Sequence, residues 1–262
     1  YGPVTDGRLP EDASHFLNNS VVLDNGTSLT TRTGGTAGDP KSLVPPSGEN
    51  SWHWFGAGTA KPNGDVQVVA LKFATFGNDL FDFGWDSNHV ASFDPTTWTL
   101  KSLQPLPSGQ DIQWGSWIRR DKGGITVYGV EDRGASKYMH IARVRGNDLS
   151  RTQNWRYWTG KRWSKNQADS ARVLEGVSNE YSVTPYGDGW LLITHDTTEA
   201  FSNTVLAYRS CSPTGPFTNP IELYRTPETG AMGSYADPNI FTYNSHDCLL
   251  YTSDAADDSL RV

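Results

Sequence analysis

Cysteine and methionine are scarce in this chain of 262 residues, which contains two of each. The two cysteines, Cys211 and Cys248, cannot build a disulfide framework, and a zinc site needs more ligands at closer spacing. The histidines are scattered, with no close pair at ligand spacing. The sequence therefore assigns no metal ligand and no cofactor.

Long apolar runs and an excess of positive charge are also missing. The longest apolar runs are short, such as Val66–Leu71, which Gln67 interrupts, whereas a membrane span needs about 20 apolar residues. With 22 basic and 29 acidic residues, the net charge is −7, and a nucleic-acid-binding surface would instead be basic. We therefore expect neither a membrane nor a nucleic-acid partner.

Helix-forming stretches rich in Ala, Leu, Glu and Lys are nearly absent. Instead the chain holds 26 Gly and 15 Pro, a composition that disfavours helices and suits short strands joined by turns. Aromatic residues reach 12 %, which excludes a disordered chain. These features predict an all-β globular protein.

Three turn motifs recur at long, similar intervals, each between two runs with strand character. They are Pro62–Asp65, Asp121–Gly124 and Tyr186–Gly189, and each arrangement predicts a β-hairpin. A third strand and an aromatic-rich fourth strand follow each hairpin. The predicted strands are Trp52–Thr59, Val66–Phe73, His89–Phe93 and Trp98–Leu103; Ile112–Arg119, Ile125–Val130, Tyr138–Val144 and Trp155–Trp163; and Glu180–Thr184, Trp190–Thr194, Val205–Arg209 and Phe217–Tyr224.

Each repeating unit is a four-stranded meander of about 50–65 residues, a period typical of β-propeller blades. Three units are complete, and they begin near Trp52, Ile112 and Glu180. Asn18–Thr33 is interpreted as the remainder of an earlier blade and Tyr235–Tyr243 as the opening of a later one. We predict a five-bladed β-propeller with incomplete first and last blades. A β-sandwich is the alternative, but its turns usually recur every 8–12 residues.

Three segments resemble a known group of propellers. Ser212-Pro213-Thr214-Gly215-Pro216-Phe217 resembles the blade-closing motif of five-bladed propeller glycosidases, such as the arabinanases of glycoside hydrolase family 43. Asn18-Asn19-Ser20 and Ser178-Asn179-Glu180-Tyr181 resemble a branch of secreted bacterial and fungal propellers labelled as domains of unknown function. Endo-acting D-arabinanases are related to that branch. The resemblance extends from about Pro3 to Tyr243.

The resemblance implies a secreted, monomeric glycoside hydrolase that acts on a furanose-rich, arabinan-like polysaccharide or oligosaccharide. The sequence departs from the family in two places. The family's first blade normally begins upstream, with an acidic residue after an apolar strand, and that residue is absent here. In Phe55-Gly56-Ala57-Gly58, Ala57 stands where the resemblance implies a carboxylate. We therefore expect this fragment to be inactive.

Residues 247–262 fit no blade. Cys248–Asp258 resembles translated read-through of a sequencing adapter, and a solvated acidic tail is the other interpretation. We assign residues 1–246 to a single propeller domain and residues 247–262 to a non-native or disordered tail.

Glycoside cleavage needs two carboxyl groups, one of them protonated as the general acid, and burial against aromatic rings raises a carboxyl pKa. Glu180 opens an inner strand between Asn179 and Tyr181 without a basic neighbour in sequence, so we predict that it is the general acid. Alternatively, it is a strand-start carboxylate bound by backbone N–H groups.

Asp6 is the weaker catalytic candidate, because Thr5-Asp6-Gly7-Arg8 is also typical of a turn.

An aromatic ring stacks on the apolar face of a sugar, while amides bind its hydroxyls. The predicted substrate-binding residues are Asn19, His53, Trp54, Trp114, Asn179, Tyr181 and Asp237. For the aromatic residues the alternative is a place in the core between blades, because alternate strand residues face inward. For Asp237, the alternative is a turn begun by Asp-Pro. A Ca²⁺ ion in the channel, as in related propellers, stays open because oxygen ligands suffice to bind it.

Two functions of different classes remain. Glu180 within an intact motif favours the hydrolase, whereas Ala57 and the missing first carboxylate favour a non-catalytic, lectin-like sugar-binding propeller. A protein-interaction propeller is disfavoured because repeats of the WD or kelch type are absent.

Overall fold

A computed structural model describes residues 17–79, 82–134, 136–198, 202–225, 236–243 and 246–253, the last two ranges by their backbone alone. These residues form strands joined by turns and three short 3₁₀ segments, and no helix among them is long and apolar enough to cross a membrane. The strands are β1 (Val21–Asp24), β2 (Leu29–Arg32), β3 (Gly34–Thr36), β4 (Asp39–Lys41), β5 (Ser51–Ala60), β6 (Val66–Thr75), β7 (Phe83–Phe93), β8 (Leu100–Pro105), β9 (Ile112–Asp121), β10 (Gly124–Asp132), β11 (Lys137–Val144), β12 (Trp155–Trp158), β13 (Trp163–Ser164), β14 (Leu174–Glu175), β15 (Tyr181–Tyr186), β16 (Gly189–His195), β17 (Thr204–Ser210), β18 (Thr218–Arg225), β19 (Ala236–Tyr243) and β20 (His246–Ser253).

Three antiparallel meanders form the main sheets. Blade two is β5–β8, blade three is β9–β12 with β13 and β14 added, and blade four is β15–β18. β1–β2, β3–β4 and β19–β20 form two-stranded sheets. The first strands β5, β9, β15 and β19 lie beside one another in succession, as the inner strands of a β-propeller do. The predicted all-β fold and the three predicted meanders are confirmed.

The core lies between successive blades rather than in one centre. In β10, Ile125 and Val127 pack toward blade two, whereas Tyr128 and Val130 pack toward blade four. This strand is buried on both faces because each face of a propeller blade is covered by its neighbour. Burial of this kind stabilises the fold by about 25 cal/mol per Å² of apolar surface.

The inner strands of blades two and three touch through their backbones. A Cβ atom on Gly56 would lie 2.7 Å from the carbonyl oxygen of Gly115, and β-bulges interrupt both strands at this level. Gly115 also has a φ of 102°, which favours glycine. Trp54 and Gln113 each precede this contact by two residues, so they lie at the same level. We call the end of the propeller where β5, β9 and β15 begin the channel mouth.

Residues 246–253 have strand structure. β20 pairs with β19 from Tyr243 and His246 to Ala236 and Ser253. The sequence of residues 247–253 fits no blade, yet these residues pair with the predicted opening strand of the last blade. The assignment of residues 247–262 to a non-native tail stays a prediction.

Candidate functional site

The segment before β15 carries Asn179 and Glu180 to the channel mouth along a path fixed by hydrogen bonds. Backbone N–H groups of Val173 and Gly176 donate to carbonyls of β11 at 2.9 Å, and β14 pairs with the same strand. The Ser178 N–H donates to the Thr194 hydroxyl at 2.8 Å. The position of Glu180 is therefore set by two blades at once.

An arginine–glutamate cluster anchors the same segment. Arg172 binds the two carboxylate oxygens of Glu131 at 2.7 Å each, and Arg133 and His140 contact that carboxylate at 2.8 and 3.2 Å. Hydrogen bonding from Arg172 is the main reason that the pKa of Glu131 falls from 4.5 to about 2. Glu131 is 4 % exposed, so the carboxylate is held as an internal anion rather than offered to a ligand.

Asn179 joins the segment to the neighbouring blade. Its amide nitrogen donates to Asp132 at 3.1 Å and to Gln113 at 3.4 Å, and its oxygen accepts a hydrogen bond from Lys137. Lys137 also pairs with Asp132 at 3.2 Å. These four residues, which we call the polar cluster, link the start of β9 to the start of β15.

Glu180 follows Asn179 directly and is half-buried. The Ser178 hydroxyl donates to its backbone carbonyl. The structure places Glu180 immediately before β15, one residue outside the strand that it was predicted to open. Its role as general acid remains a prediction.

An aromatic cluster covers the adjoining part of blade two. The ring centroids of Trp54 and Phe73 are 4.3 Å apart, and Trp52 and Phe83 lie 5.6 Å from the Trp54 ring. Phe73 shares a strand face with Val69, which packs between blades two and three. Trp52, Trp54 and Phe83 are only partly buried. This blade-two aromatic cluster therefore offers ring surface beside Gln113.

Two aromatic residues predicted to bind substrate lie in the core. Trp114 is 0 % exposed and packs on Trp155 and Tyr157, with centroids 5.7 and 5.8 Å away. Tyr181 is also 0 % exposed, and its hydroxyl donates to the Gly129 carbonyl at 2.9 Å. Burial raises the pKa of the Tyr181 phenol well above its usual value. Neither ring presents a face to a ligand, so both predictions are corrected to packing roles.

Asn19 is a structural clamp. Its amide nitrogen donates to the carbonyls of Val44 and His53 at 3.0 and 2.9 Å, and its oxygen accepts from the Val44 N–H at 2.8 Å. Asn88 makes similar bonds one blade further on: its amide nitrogen donates to the carbonyls of Pro107 and Ile112, and its oxygen accepts from the Trp114 N–H. The amide of Asn19 is used within the fold, so we no longer assign it to sugar hydroxyls.

His53 is also internal, with 0 % exposure and its Nε2 atom 3.2 Å from the Ser47 hydroxyl. Burial, and then the nearby His89 ring at 5.6 Å, lower the pKa of His53 from 6.5 to about 4. The ring is therefore neutral at physiological pH and has a packing role rather than a substrate-binding one.

This pKa shift predicts a loss of stability in acid. The unfolded state binds the His53 proton near pH 6.5 and the folded state only near pH 4. The contribution of the neutral His53 ring to stability is therefore complete above pH 6.5. As the pH falls from 6.5 toward 4, the free energy of unfolding should decrease by about 1–3 kcal/mol. His53→Gln should flatten the change in unfolding free energy across this interval, measured by urea denaturation. An equal slope in both proteins would show that His53 does not titrate this way.

The side chains of two further predicted site residues, Asp6 and Asp237, are not described by the structure. Asp6 falls outside the described residues. Asp237 lies in β19, of which only the backbone is described. Ala57 is described and packs against the core between blades two and three, within the bulge of β5.

Sequence reasoning missed three residues of the polar cluster: Gln113, Asp132 and Lys137. A signal for Asp132 and Gln113 was present, since a hairpin between Ile112 and Asp132 brings its open end to the start of the inner strand. Lys137 begins the next strand at the same end. Among the described residues, no group of three or more His, Cys, Asp or Glu side chains is placed to hold a metal ion.

The model of the family described as Domain of unknown function (DUF5005) matches residues 1–250. No curated protein matches the chain. Among solved structures, a presumed hydrolase from Bacteroides ovatus is 19 % identical over 78 % of this chain and 57 % of its own length, with a TM-score of 0.57.

Two glycosidases are also similar in structure. An exo-β-1,3-galactanase from Phanerochaete chrysosporium bound to galactose is 12 % identical over 90 % of this chain and 51 % of its own, with a TM-score of 0.52. A β-1,3-galactosidase of glycoside hydrolase family 43 is 13 % identical over 78 % of this chain and 41 % of its own, with a TM-score of 0.51. The chain thus spans 41–57 % of these proteins, and the shared fold is a five-bladed β-propeller.

Proposed function

The chain belongs to the family described as Domain of unknown function (DUF5005), and from that premise we propose that it is a glycoside-hydrolase-type propeller. Its channel mouth holds a furanose-rich, arabinan-like polysaccharide in a secreted, monomeric protein. The observation that carries this proposal is that a half-buried carboxyl group, Glu180, directly follows Asn179 of the polar cluster at the end of the propeller where the blade-two aromatic cluster lies. Structural neighbours that are glycosidases support it.

The two clusters suit the two faces of a sugar. The rings of Trp52 and Trp54 can stack on the C–H face, because they are partly exposed beside the inner strand of blade three. The ammonium of Lys137 lies on the Glu180 side, where hydroxyl groups need hydrogen-bond partners, and the Asn179 amide, which bonds Lys137, Asp132 and Gln113, positions it there. A glycan lying from blade two toward blade four would contact both sets.

In this proposal Glu180 is the general acid. It donates its proton to the glycosidic oxygen as the bond to the anomeric carbon breaks, and a second carboxylate activates water or attacks that carbon. Asp132 accepts a hydrogen bond at 3.1 Å from Asn179, the residue before Glu180, but it is also bound by Lys137 at 3.2 Å. We therefore assign Asp132 to positioning Asn179, and Asp6 remains the candidate for the second carboxylate.

Because we expect this fragment to be inactive, the decisive comparison is between the full-length parent protein and its Glu180→Gln variant, with linear arabino-oligosaccharides as ligands. Glutamine keeps the shape and hydrogen bonding of Glu180 but has no proton to transfer. Binding measured by calorimetry should stay within about threefold, whereas release of reducing ends should fall on the order of 10²–10⁴-fold. Unchanged turnover in the variant would remove Glu180 from the mechanism, and absence of binding in both proteins would overturn the proposed substrate.

A lectin-like function is the second candidate, and the position of Ala57 favours it. This side chain lies in the bulge of β5 and packs against the core, so blade two supplies no carboxylate there. Saccharide binding by the full-length parent protein with no release of reducing ends would support this function over the hydrolase.

A further inference from the structure

A polar cleft of about 370 Å³ lies between blades two and three. It is at the opposite end of the propeller from the channel mouth, because its walls are the turn after β5, the outer strand β8 and the loop after β11. Every lining residue is polar, and among them are Lys61, Gln67, Lys101, Gln104, Arg151 and Gln153. Its volume falls within the range of small-molecule sites.

The floor of the cleft is fixed by bonds between the two blades. Gln67 is 1 % exposed, and its amide nitrogen donates to Asp148 at 2.9 Å while its oxygen accepts from the Leu149 N–H at 2.9 Å. Asp148 also accepts hydrogen bonds from the backbone and hydroxyl of Ser150, at 3.0 and 2.6 Å. The cleft is therefore held in shape from both blades.

The charges in the cleft are mostly paired with one another. Lys61 lies 3.4 Å from Asp148, and Lys101 lies 2.6 Å from Asp65 and 3.1 Å from Asp94. A ligand of strong charge of either sign would have to compete with these ion pairs. An apolar ligand would find no ring and little aliphatic surface. Apart from Arg151, which lies 3.8 Å from Asp148, the donors and acceptors that remain are amides and hydroxyls, which match groups that both donate and accept.

Sugar hydroxyls are groups of that kind. We propose that this cleft is a second saccharide-binding site that takes about one or two neutral sugar units. Gln104, Gln153 and Arg151 form its rim and are exposed. This inference does not depend on catalysis by Glu180. Two sites at opposite ends of one propeller would let it hold a polysaccharide with higher avidity than either site alone.

The test is an NMR titration of the isotope-labelled chain with arabinotriose, observing the side-chain amides of Gln104 and Gln153 for the cleft and the indole of Trp54 for the channel mouth. Saturable shifts are expected at both places. The double variant Gln104→Ala/Gln153→Ala should weaken binding at the cleft at least about tenfold, read from Gln67 and Ser150 signals, and leave the Trp54 response unchanged.

Trp54→Ala is the matched control, because it should abolish the response at the mouth, read in this variant from the side-chain amides of Gln113 and Asn179, and spare the cleft. Absence of a saturable response in the cleft, or an unchanged one in the double variant, would overturn the proposal even if the mouth binds sugar. Inorganic phosphate and trigalacturonate serve as charged probes. A response to these probes without a response to arabinotriose would show an anion site and also overturn it.

Discussion

Trp114→Ala should lower the free energy of unfolding by about 3–5 kcal/mol, whereas Trp54→Ala should cost clearly less. The Trp114 ring is 0 % exposed and packs against Trp155 and Tyr157, so its removal leaves a cavity between blades two and three. Trp54 is partly exposed at the channel mouth, where water can fill the space. In a domain of this size, the Trp114 variant should melt roughly 6–20 °C lower.

The effects of Trp54→Ala and Trp114→Ala on saccharide binding should have the reverse order of their effects on stability. Trp54→Ala should weaken binding of arabino-oligosaccharides, because it removes a ring face from the blade-two aromatic cluster. Trp114→Ala, measured well below its melting temperature, should bind close to normally. Strong loss of binding in a folded Trp114 variant would contradict the packing role and return Trp114 to the site.

Strand positions could be predicted because they depend on local signals. The turn Asp121–Gly124 fixed the hairpin of blade three, and β9 begins at Ile112 as expected. Sequence could not separate Trp54 from Trp114, because both lie near the start of an inner strand. Their difference comes from Trp155 and Tyr157, which the sheet brings from far along the chain.

The contacts within the polar cluster could not be predicted for the same reason, because they join residues of different blades. Asn179 was identified from its neighbours in sequence, but its partners Asp132 and Gln113 come from another blade at 3.1 and 3.4 Å. Asn19 was misassigned because an amide that clamps backbone carbonyls has the same sequence appearance as one that binds hydroxyls. Neighbouring side chains at the site could thus be predicted where one segment of the chain supplies them. They could not be predicted where the contact is between two blades.

Glu131→Gln should destabilise the protein by about 2–4 kcal/mol at neutral pH. The change leaves Arg172 and Arg133 facing a neutral group in place of an internal carboxylate, and breaking such a pair is costly. The value lies below that of a fully buried pair because Arg172 is 48 % exposed. Glu175→Gln is the matched control, since Glu175 is exposed on β14 of the same segment, and it should cost less than about 0.5 kcal/mol.

The pH dependence of the stability loss in Glu131→Gln tests whether the loss comes from removing the negative charge of the carboxylate. The pKa of Glu131 is lowered from 4.5 to about 2. The ionised carboxylate therefore contributes its full stabilisation of the folded state above pH 4.5, and this contribution is lost as the pH falls through 2. The gap between wild type and Glu131→Gln, measured by chemical denaturation, should therefore narrow below pH 4.5. A gap that stays constant down to pH 2 would indicate a steric effect of the amide.

The same variant tests how Glu180 is positioned. Arg172 lies on the segment that leads to Asn179 and Glu180, and Glu131 is its anchor in blade three. Releasing that anchor should let the segment shift, so Glu131→Gln should weaken oligosaccharide binding at the channel mouth by about three- to tenfold, whereas Glu175→Gln should not. Adding Arg172→Gln to Glu131→Gln should cost little more, because both changes remove one interaction. Additive losses would show that the two side chains act separately and that the segment is held by its backbone bonds to β11.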